Sequence, residues 1–331
     1  MRVLVTGGAG QVGTDLIKAL HSEGAELAVF DLAPRPETAP ADLRWYRGSV
    51  ANAPEVFDCV KEVRPEVIYH FAALLSATGE KYPHRCYRVN MDGTHNLLEA
   101  ARLLEVRQFM FASTIAVFGP GLPDPVPNDV PLLPTTMYGV TKVANEMLGA
   151  YYHSHWGLDF RGVRFPGLIN AGVPGGGTTD YALFMYVDGI RYGKYECFVG
   201  PESVVPMMYM PDALRAMQEL SKAPGEKLRH RVFNIGAISP TAEDFANAVR
   251  ARVPGVDGAH DVHAGRPARD AGAERRAGEG PQAPRLQHRR DEPHRRGLRQ
   301  RRARARARGR AHVQGRPEAP GDPRLVARRR R

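Results

Sequence analysis

Tyr138 and Lys142 are the side chains in this sequence whose types and spacing best suit proton chemistry. At i and i+4 a phenol and an ammonium share one helix face. Free tyrosine titrates near a pH of about 10, too high for a good base at neutral pH. A neighbouring ammonium stabilises the phenolate and brings the group towards a working range. Taken alone, the spacing also suits a ring packed under a lysine stem. Two hydroxyls upstream add weight to the chemical reading. Ser113 and Thr114 end an apolar run, where a hydroxyl can hold a substrate oxygen while Tyr138 takes its proton.

These residues must be positioned by a scaffold, and the N-terminal pattern predicts one. Arg2-Val3-Leu4-Val5 reads as a short strand that runs into Thr6-Gly7-Gly8-Ala9-Gly10-Gln11-Val12-Gly13, after which Leu16, Ile17 and Leu20 recur with helical period. A second strand, 26–30, ends at Asp31, 18 residues after Gly13. Gly7, Gly10 and Gly13 let the backbone turn tightly and approach a pyrophosphate, and the helix start then faces its negative charge. An acid at the end of the second strand can accept hydrogen bonds from ribose hydroxyls and repels a 2′-phosphate, so Asp31 favours NAD over NADP. A glycine triplet alone is only a tight turn; strand, triplet, helix, strand and acid within 31 residues point to nucleotide binding.

Further strands are predicted at 67–71, 108–112 and 162–165, with helices at 92–104 and 138–152 between them. This alternation predicts an α/β fold, a doubly wound parallel sheet covered by helices on both faces. Chemistry is then expected beyond the strand ends at Phe71, Ala112 and Phe165. The expected organisation is a nucleotide-binding domain over 1–165, a smaller substrate lobe over 166–255 with a strand near 231–235 returning to the main sheet, and a basic tail over 256–331.

The net charge of +10 belongs to that tail. Residues 1–255 carry 24 basic and 27 acidic side chains, whereas 256–331 carry 22 arginines and 9 acids. After Asn247 there is no Ile, Phe, Tyr, Trp, Met, Lys, Asn, Ser, Thr or Cys. The ten types that remain can all be encoded by codons beginning with G or C, and the missing ten all begin with A or T. A frameshifted reading of a GC-rich gene produces this composition. The alternative is a genuine arm such as 299–310 gripping nucleic-acid phosphates; nucleic acid is not the expected partner. Without aromatic residues the segment is expected to stay disordered. Cys59, Cys86 and Cys197 are too scattered for a disulfide framework or a Cys-x-x-Cys zinc site. No apolar run approaches the roughly 20 residues of a membrane span. Met1 leads directly into the first strand, so no leader and no membrane partner are expected, and the protein is expected to be cytoplasmic.

The glycine triplet with Tyr138-x-x-x-Lys142 resembles the extended short-chain dehydrogenase/reductases, relatives of the UDP-sugar epimerases, with their Rossmann fold. Residues 113–120 (STIAVFGP), 136–142 (TMYGVTK), 177–182 (GTTDYA) and 206–213 (PMMYMPDA) resemble, within that group, the NAD-dependent L-threonine 3-dehydrogenases of the short-chain type. The resemblance covers about residues 1–255. It implies that Tyr138 removes the proton of the threonine 3-hydroxyl, that Lys142 tunes Tyr138 and contacts the nicotinamide ribose, and that Thr114, with Ser113 beside it, holds the reacting oxygen. Hydride then leaves C3 for NAD and gives 2-amino-3-oxobutyrate. It further implies that Gln11 and Val12 lie over the pyrophosphate, Leu74 near the cofactor, and Pro166-Gly167 against the nicotinamide. Ser76, Thr178, Thr179 and Asp180 are candidates for the ammonium and carboxylate of a small amino-acid substrate, since a zwitterion demands an acid and hydroxyls. The 178–180 run also suits a helix N-cap, and Met207, Met208 and Met210 suit simple packing.

Two departures stand out. Ser49 follows Gly48 where the family typically has an aspartate near the adenine, and the arginine-rich tail replaces the family's last portion, which points to an impaired enzyme as one alternative. A UDP-sugar epimerase or dehydratase is the other, although its usual strand-end Phe-Asn pair is here Pro166-Gly167. His70, His84, His95, His153 and His155 are expected in core or solvated roles, so no metal site is expected and the zinc-dependent class of threonine dehydrogenase is excluded. The resemblance also implies a homodimer, paired through helices 92–104 and 138–152.

Overall fold

The computed structural model describes residues 1–170, 172, 175–177 and 179–252. The expected tail over 256–331 and the candidate Thr178 lie outside the described residues. The main sheet has seven strands, all parallel: β1 (Arg2–Thr6), β2 (Glu26–Asp31), β3 (Arg44–Arg47), β4 (Val67–His70), β5 (Gln108–Thr114), β6 (Asp159–Phe165) and β9 (Val232–Asn234). Their order is β3-β2-β1-β4-β5-β6-β9. The order in which strands are added reverses between β1 and β4, and ligands of doubly wound sheets bind outside the carboxyl ends of the strands at such a switch point. The strand expected near 231–235 does return, as β9 beside β6.

Period-two alternation divides the strands between two cores. Leu4, Ile68, Phe109, Phe111 and Phe160 face helices α2 (Ala53–Val63), α5 (Gly93–Leu103) and α6 (Met137–Trp156), which contribute Val56, Val60, Leu97, Leu98, Ala101 and Tyr152. Val3, Val5, Val67, Tyr69 and Met110 face α1 (Gln11–Ser22) and α8 (Met210–Lys222), which contribute Leu16, Ile17, Leu20, Ala213, Leu214 and Met217. Fully burying a Leu or Phe side chain is worth about 1.5–3 kcal/mol, so each face has ample reason to keep its helices. Helix α6 extends beyond the predicted 138–152 because Gly157, at φ 71, is its first left-handed stop. Helix α5 begins at Gly93 after a π-helical turn, Arg88–Asp92.

Pro166 follows β6 and has no N–H to continue a ladder. There the chain leaves the main sheet for β7 (Gly167–Ile169), which pairs in parallel with β8 (Met207–Tyr209). Helices α7 (Tyr181–Tyr192) and α9 (Ala242–Arg250) close a third cluster of Tyr181, Met185, Cys197, Met207 and Ala246 around this small sheet. Met207 and Met210 are core residues, as packing predicts. A capping box of Thr241 and Asp244 starts α9. Among the described residues no helix is long and apolar enough to cross a membrane.

Candidate active site

The glycine loop between β1 and α1 is shaped by close approaches that leave little room for a Cβ. Gly7 has φ +73, and a Cβ placed on it would lie 2.6 Å from the Ala72 amide nitrogen. A Cβ on Gly13 would strike the Gly7 carbonyl and stand 2.8 Å from the Gly8 Cα. Gly8, which sequence reasoning passed over, is equally constrained: its Cβ would come within 2.6 Å of Val29 Cγ1. The loop therefore lies flat over the ends of β1, β2 and β4. No side chain caps α1 at Gly10, and its first turn holds no acid, which leaves a helix start suited to an anion. Asp31 sits where the pattern places it. Its Oδ2 accepts from the Ala9 amide at 2.9 Å and its Oδ1 from the Ala33 amide at 2.8 Å. The carboxylate is thus fixed against the same loop. Gln11 opens α1, and its Oε1 comes within 3.4 Å of a Cβ built on Gly175, so it faces the loop before α7; Val12 beside it is half-buried. These residues fit a dinucleotide: a cradle that Gly7 and Gly13 keep free of side chains, an uncapped helix start and an anchored acid.

Leu74, the candidate beyond β4, is held by a residue that sequence reasoning missed. Asn90, in the π-helical turn, accepts from the Leu74 amide at 2.8 Å and donates to its carbonyl at 3.1 Å. Asn90 Nδ2 also donates to the Thr141 hydroxyl of α6 at 3.1 Å. Ser76 is buried at the first residue of α3 (Ser76–Lys81), a helix that packs beside Tyr138: a Cβ built on Gly79 would be 3.7 Å from Tyr138 Cβ, an ordinary contact, and 3.0 Å from Cys86 Sγ. Glu80 completes the dock by accepting from the Met137 amide at 2.6 Å, the first residue of α6. The departure at Ser49 leaves its hydroxyl accepting from the Ala51 amide at 3.3 Å, while Glu55 accepts from the Ser49 amide at 2.8 Å.

Tyr138 and Lys142 come together, but not head to head. Lys142 Nζ lies 5.5 Å from the centre of the Tyr138 ring and 4.7 Å from that of Phe111, and donates to the Ala112 carbonyl at 2.6 Å. Both side chains are buried. Burial lowers Lys142 to about 8, against Glu146, which raises it. Burial also pushes the Tyr138 phenol up to about 12, and a hydrogen bond from Thr114 pulls it back in part. In the chain alone, the desolvation of a buried phenolate sets the direction of the Tyr138 shift, while the Lys142 ammonium lies over the ring. Thr114 is the last residue of β5 and lies close to the Tyr138 phenol. Its Oγ1 accepts from the Ala116 amide at 3.1 Å, so its own proton remains to be donated towards Tyr138. Gly139 is what allows this approach, because a Cβ there would collide with the Ala116 carbonyl.

Ser113 does not join Thr114. The alternation of β5 sends its side chain to the α6 face with Phe109 and Phe111, and its hydroxyl donates to Glu146. The substrate candidates of the small lobe are only partly gathered. Thr179 Cβ is 3.1 Å from a Cβ built on Gly167, so it packs against the end of the Pro166-Gly167 turn, with Met207 on the other side. Asp180 does not cap α7, as an N-cap reading expects; its Oδ2 accepts instead from the amides of Gly176 at 2.6 Å and Gly177 at 2.9 Å. Successive glycine amides make a better partner for the carboxylate than the helix beyond it. His70 is a core residue, accepting from or donating to Thr6 at 2.7 Å and Thr94 at 2.9 Å. His84, His95 and His155 are exposed, and His153 bonds the Leu158 carbonyl at 2.9 Å.

A parallel sheet in this order, a glycine cradle at its switch point, and a Thr-Tyr-Lys group at the end of β5 are matched by one family model, NAD dependent epimerase/dehydratase, over residues 3–236. The chain belongs to that family. It is an extended short-chain dehydrogenase/reductase with NAD as its cofactor. The mitochondrial L-threonine 3-dehydrogenase of Bos taurus is 38% identical over 265 residues, 79% of this epimerase-family chain and 71% of the relative. Among solved structures, a GalE-like L-threonine dehydrogenase from Cupriavidus necator in its holo form is 36% identical, with a TM-score of 0.74 over 78% of this chain and 84% of that one. A monomeric L-threonine 3-dehydrogenase from a metagenome is 40% identical, with a TM-score of 0.72 over 76% and 82%.

Proposed function

We propose that this chain oxidises L-threonine at C3 to 2-amino-3-oxobutyrate. The observation that carries the reading is the Thr114–Tyr138–Lys142 group at the switch-point end of β5, in a chain 36–40% identical to solved L-threonine dehydrogenases. Gly7, Gly10, Gly13 and Asp31 would hold NAD, with Gln11, Val12, Leu74 and Pro166 around it; when bound it accepts the hydride from C3. Tyr138 takes the hydroxyl proton, and Thr114 donates to the oxygen from which that proton leaves, so the developing carbonyl is held from one side while the base works on the other. Lys142 supplies the positive charge beside the ring that favours phenolate over phenol. Thr179 and Asp180, with Ser76 on α3 and Thr178, are the groups available for the zwitterion.

The test is NADH formation on adding L-threonine. Dependence on threonine is expected, with loss of roughly 100-fold or more in kcat for Tyr138→Phe, the usual reach of general base catalysis. Activity at the parent level in that variant would remove Tyr138 from its role. Turnover of a UDP-sugar with no response to threonine would replace the substrate.

A further inference from the structure

A buried charge cluster beside the site has no part in the reaction as described. Glu146 follows Lys142 by four residues and Tyr138 by eight, so the three side chains project from one face of α6. Glu146 is 6% exposed and Arg164, on β6, 5%. Arg164 grips the carboxylate with two bonds, Nε to Oε1 at 3.0 Å and Nη2 to Oε2 at 2.8 Å. Its Nη1 donates to the Asn128 carbonyl at 3.1 Å and to Asn234 Oδ1 at 3.0 Å. The Ser113 hydroxyl donates to Oε1 as well. A buried pair of this kind adds little net stability, because desolvation of both ions offsets their attraction. Its location is more informative. Consecutive residues of β5 meet successive turns of α6: the Ala112 carbonyl accepts from Lys142 and the Ser113 hydroxyl donates to Glu146, while Thr114, next along the strand, lies close enough to Tyr138 to lower its phenol.

We propose that Glu146 is a positioning residue for the proton-transfer group: clamped by Arg164, its carboxylate keeps Lys142 an ammonium from one helical turn away and, through Ser113, tethers the strand end that presents Thr114 to Tyr138. This rests on the reading of Tyr138 and Lys142 given above. The groups facing Lys142 leave Glu146 as the fixed negative charge. Tyr138 on the same helix is a neutral phenol when burial holds it near 12. His70 of β4 is uncharged at neutral pH, since burial takes it down to about 3. Cys86 of α4 (Pro83–Tyr87) is a thiol pushed up by burial. Arg164 is positive and is paired with the Glu146 carboxylate through both Nε and Nη2. Burial acts on Lys142 in the opposite sense, towards the neutral amine, and Glu146 is the first group that opposes it.

The test compares Glu146→Gln with Glu146→Asp in the full chain. Readouts are the ¹⁵N-lysine NMR titration of Lys142 without cofactor and the pH profile of threonine-dependent NADH formation. In Glu146→Gln, Lys142 is expected to lose its proton roughly one pH unit or more below the parent value, and the alkaline limb of the profile to move down with it. Glu146→Asp keeps the charge but withdraws it by one methylene, so its shift is expected in the same direction and smaller. If the Gln variant does not fold, as judged by circular dichroism, the Asp variant carries the comparison. Ser113→Ala, which spares the ion pair, is expected to leave the Lys142 titration in place and lower kcat without raising KM for NAD. An unmoved Lys142 titration in a folded Glu146 variant overturns the proposal. Tyr138→Phe separates the two readings. If it stays active, the reading of the site fails; if it is inactive while the Glu146 variants titrate like the parent, only this inference fails.

Discussion

Gly139→Ala sets two effects of opposite sign against each other. Residue 139 lies in the first turn of α6, where replacing glycine by alanine ordinarily gains about 1 kcal/mol in helix stability. Here the new Cβ would collide with the Ala116 carbonyl on one side and stand 2.8 Å from Pro134 Cβ on another. Neither is the far end of a flexible side chain. Ala116 belongs to the 3₁₀ turn Ile115–Val117 that the Thr114 hydroxyl caps, and Pro134 lies in the segment leading into α6. Overpacking against such neighbours costs about 1–3 kcal/mol, so the expected net change is a loss of up to about 2 kcal/mol. The larger effect is on activity. To relieve the contact, the start of α6 must withdraw from the 115–117 turn, and a displacement on the order of 1 Å between catalytic groups costs about 100-fold in rate. Thermal melts and threonine-dependent NADH kinetics on Gly139→Ala are the assay. A variant at least as stable as the parent, with undiminished kcat, would refute the claim that the packing of α6 on this turn sets the Tyr138–Thr114 distance.

Other outcomes follow from the same geometry. Asp31→Asn keeps the shape but gives up one acceptor for the Ala9 and Ala33 amides; charge-assisted bonds of this kind are worth about 1.5–3 kcal/mol, so NAD titration is expected to show affinity reduced by at least tenfold, and unchanged affinity would count against Asp31 as the ribose-side acid. His70 has a folded pKa lowered to about 3 by burial, so the stability it contributes is complete above its unfolded value of about 6.5 and is lost as the pH falls from there towards 3. Urea midpoints at neutral pH and at about pH 5 should therefore differ more in the parent than in His70→Gln; equal slopes would assign the acid sensitivity elsewhere. A homodimer through α5 and α6 is expected from the exposed Leu103, Met147, Tyr151 and Trp156. Light scattering should give twice the chain mass for the parent and one chain mass for Met147→Glu, whereas a monomeric parent would exclude that interface.

What could be read from sequence divides along a physical line. The glycine cradle, Asp31 and most strands through β6 were legible because each leaves a local mark in the sequence: a glycine triplet after a strand, an acid at a strand end, an apolar run. β3 was not, because Arg44-Trp45-Tyr46-Arg47 is an edge strand with half-buried, charged side chains and carries no apolar signature. Ser113 was misplaced although the signal was present. Counting by twos from Phe109 and Phe111 puts residue 113 on the side of those rings, where its hydroxyl reaches Glu146, and residue 114 on the other. Asn90, Glu146 and Arg164 are a different matter. Each is polar and deeply buried, and its partners are 16 residues away for Asn90 with Leu74, 33 for Glu146 with Ser113, and 70 for Arg164 with Asn234. No local pattern marks such a residue as anything but a polar position on a helix or strand. The i, i+4, i+8 series of Tyr138, Lys142 and Glu146 was visible as spacing, yet spacing cannot say whether the third member faces water or an arginine. That Glu146 is 6% exposed and clamped by Arg164 is a tertiary fact. It makes the charge state of Lys142 depend on a strand that carries no catalytic group.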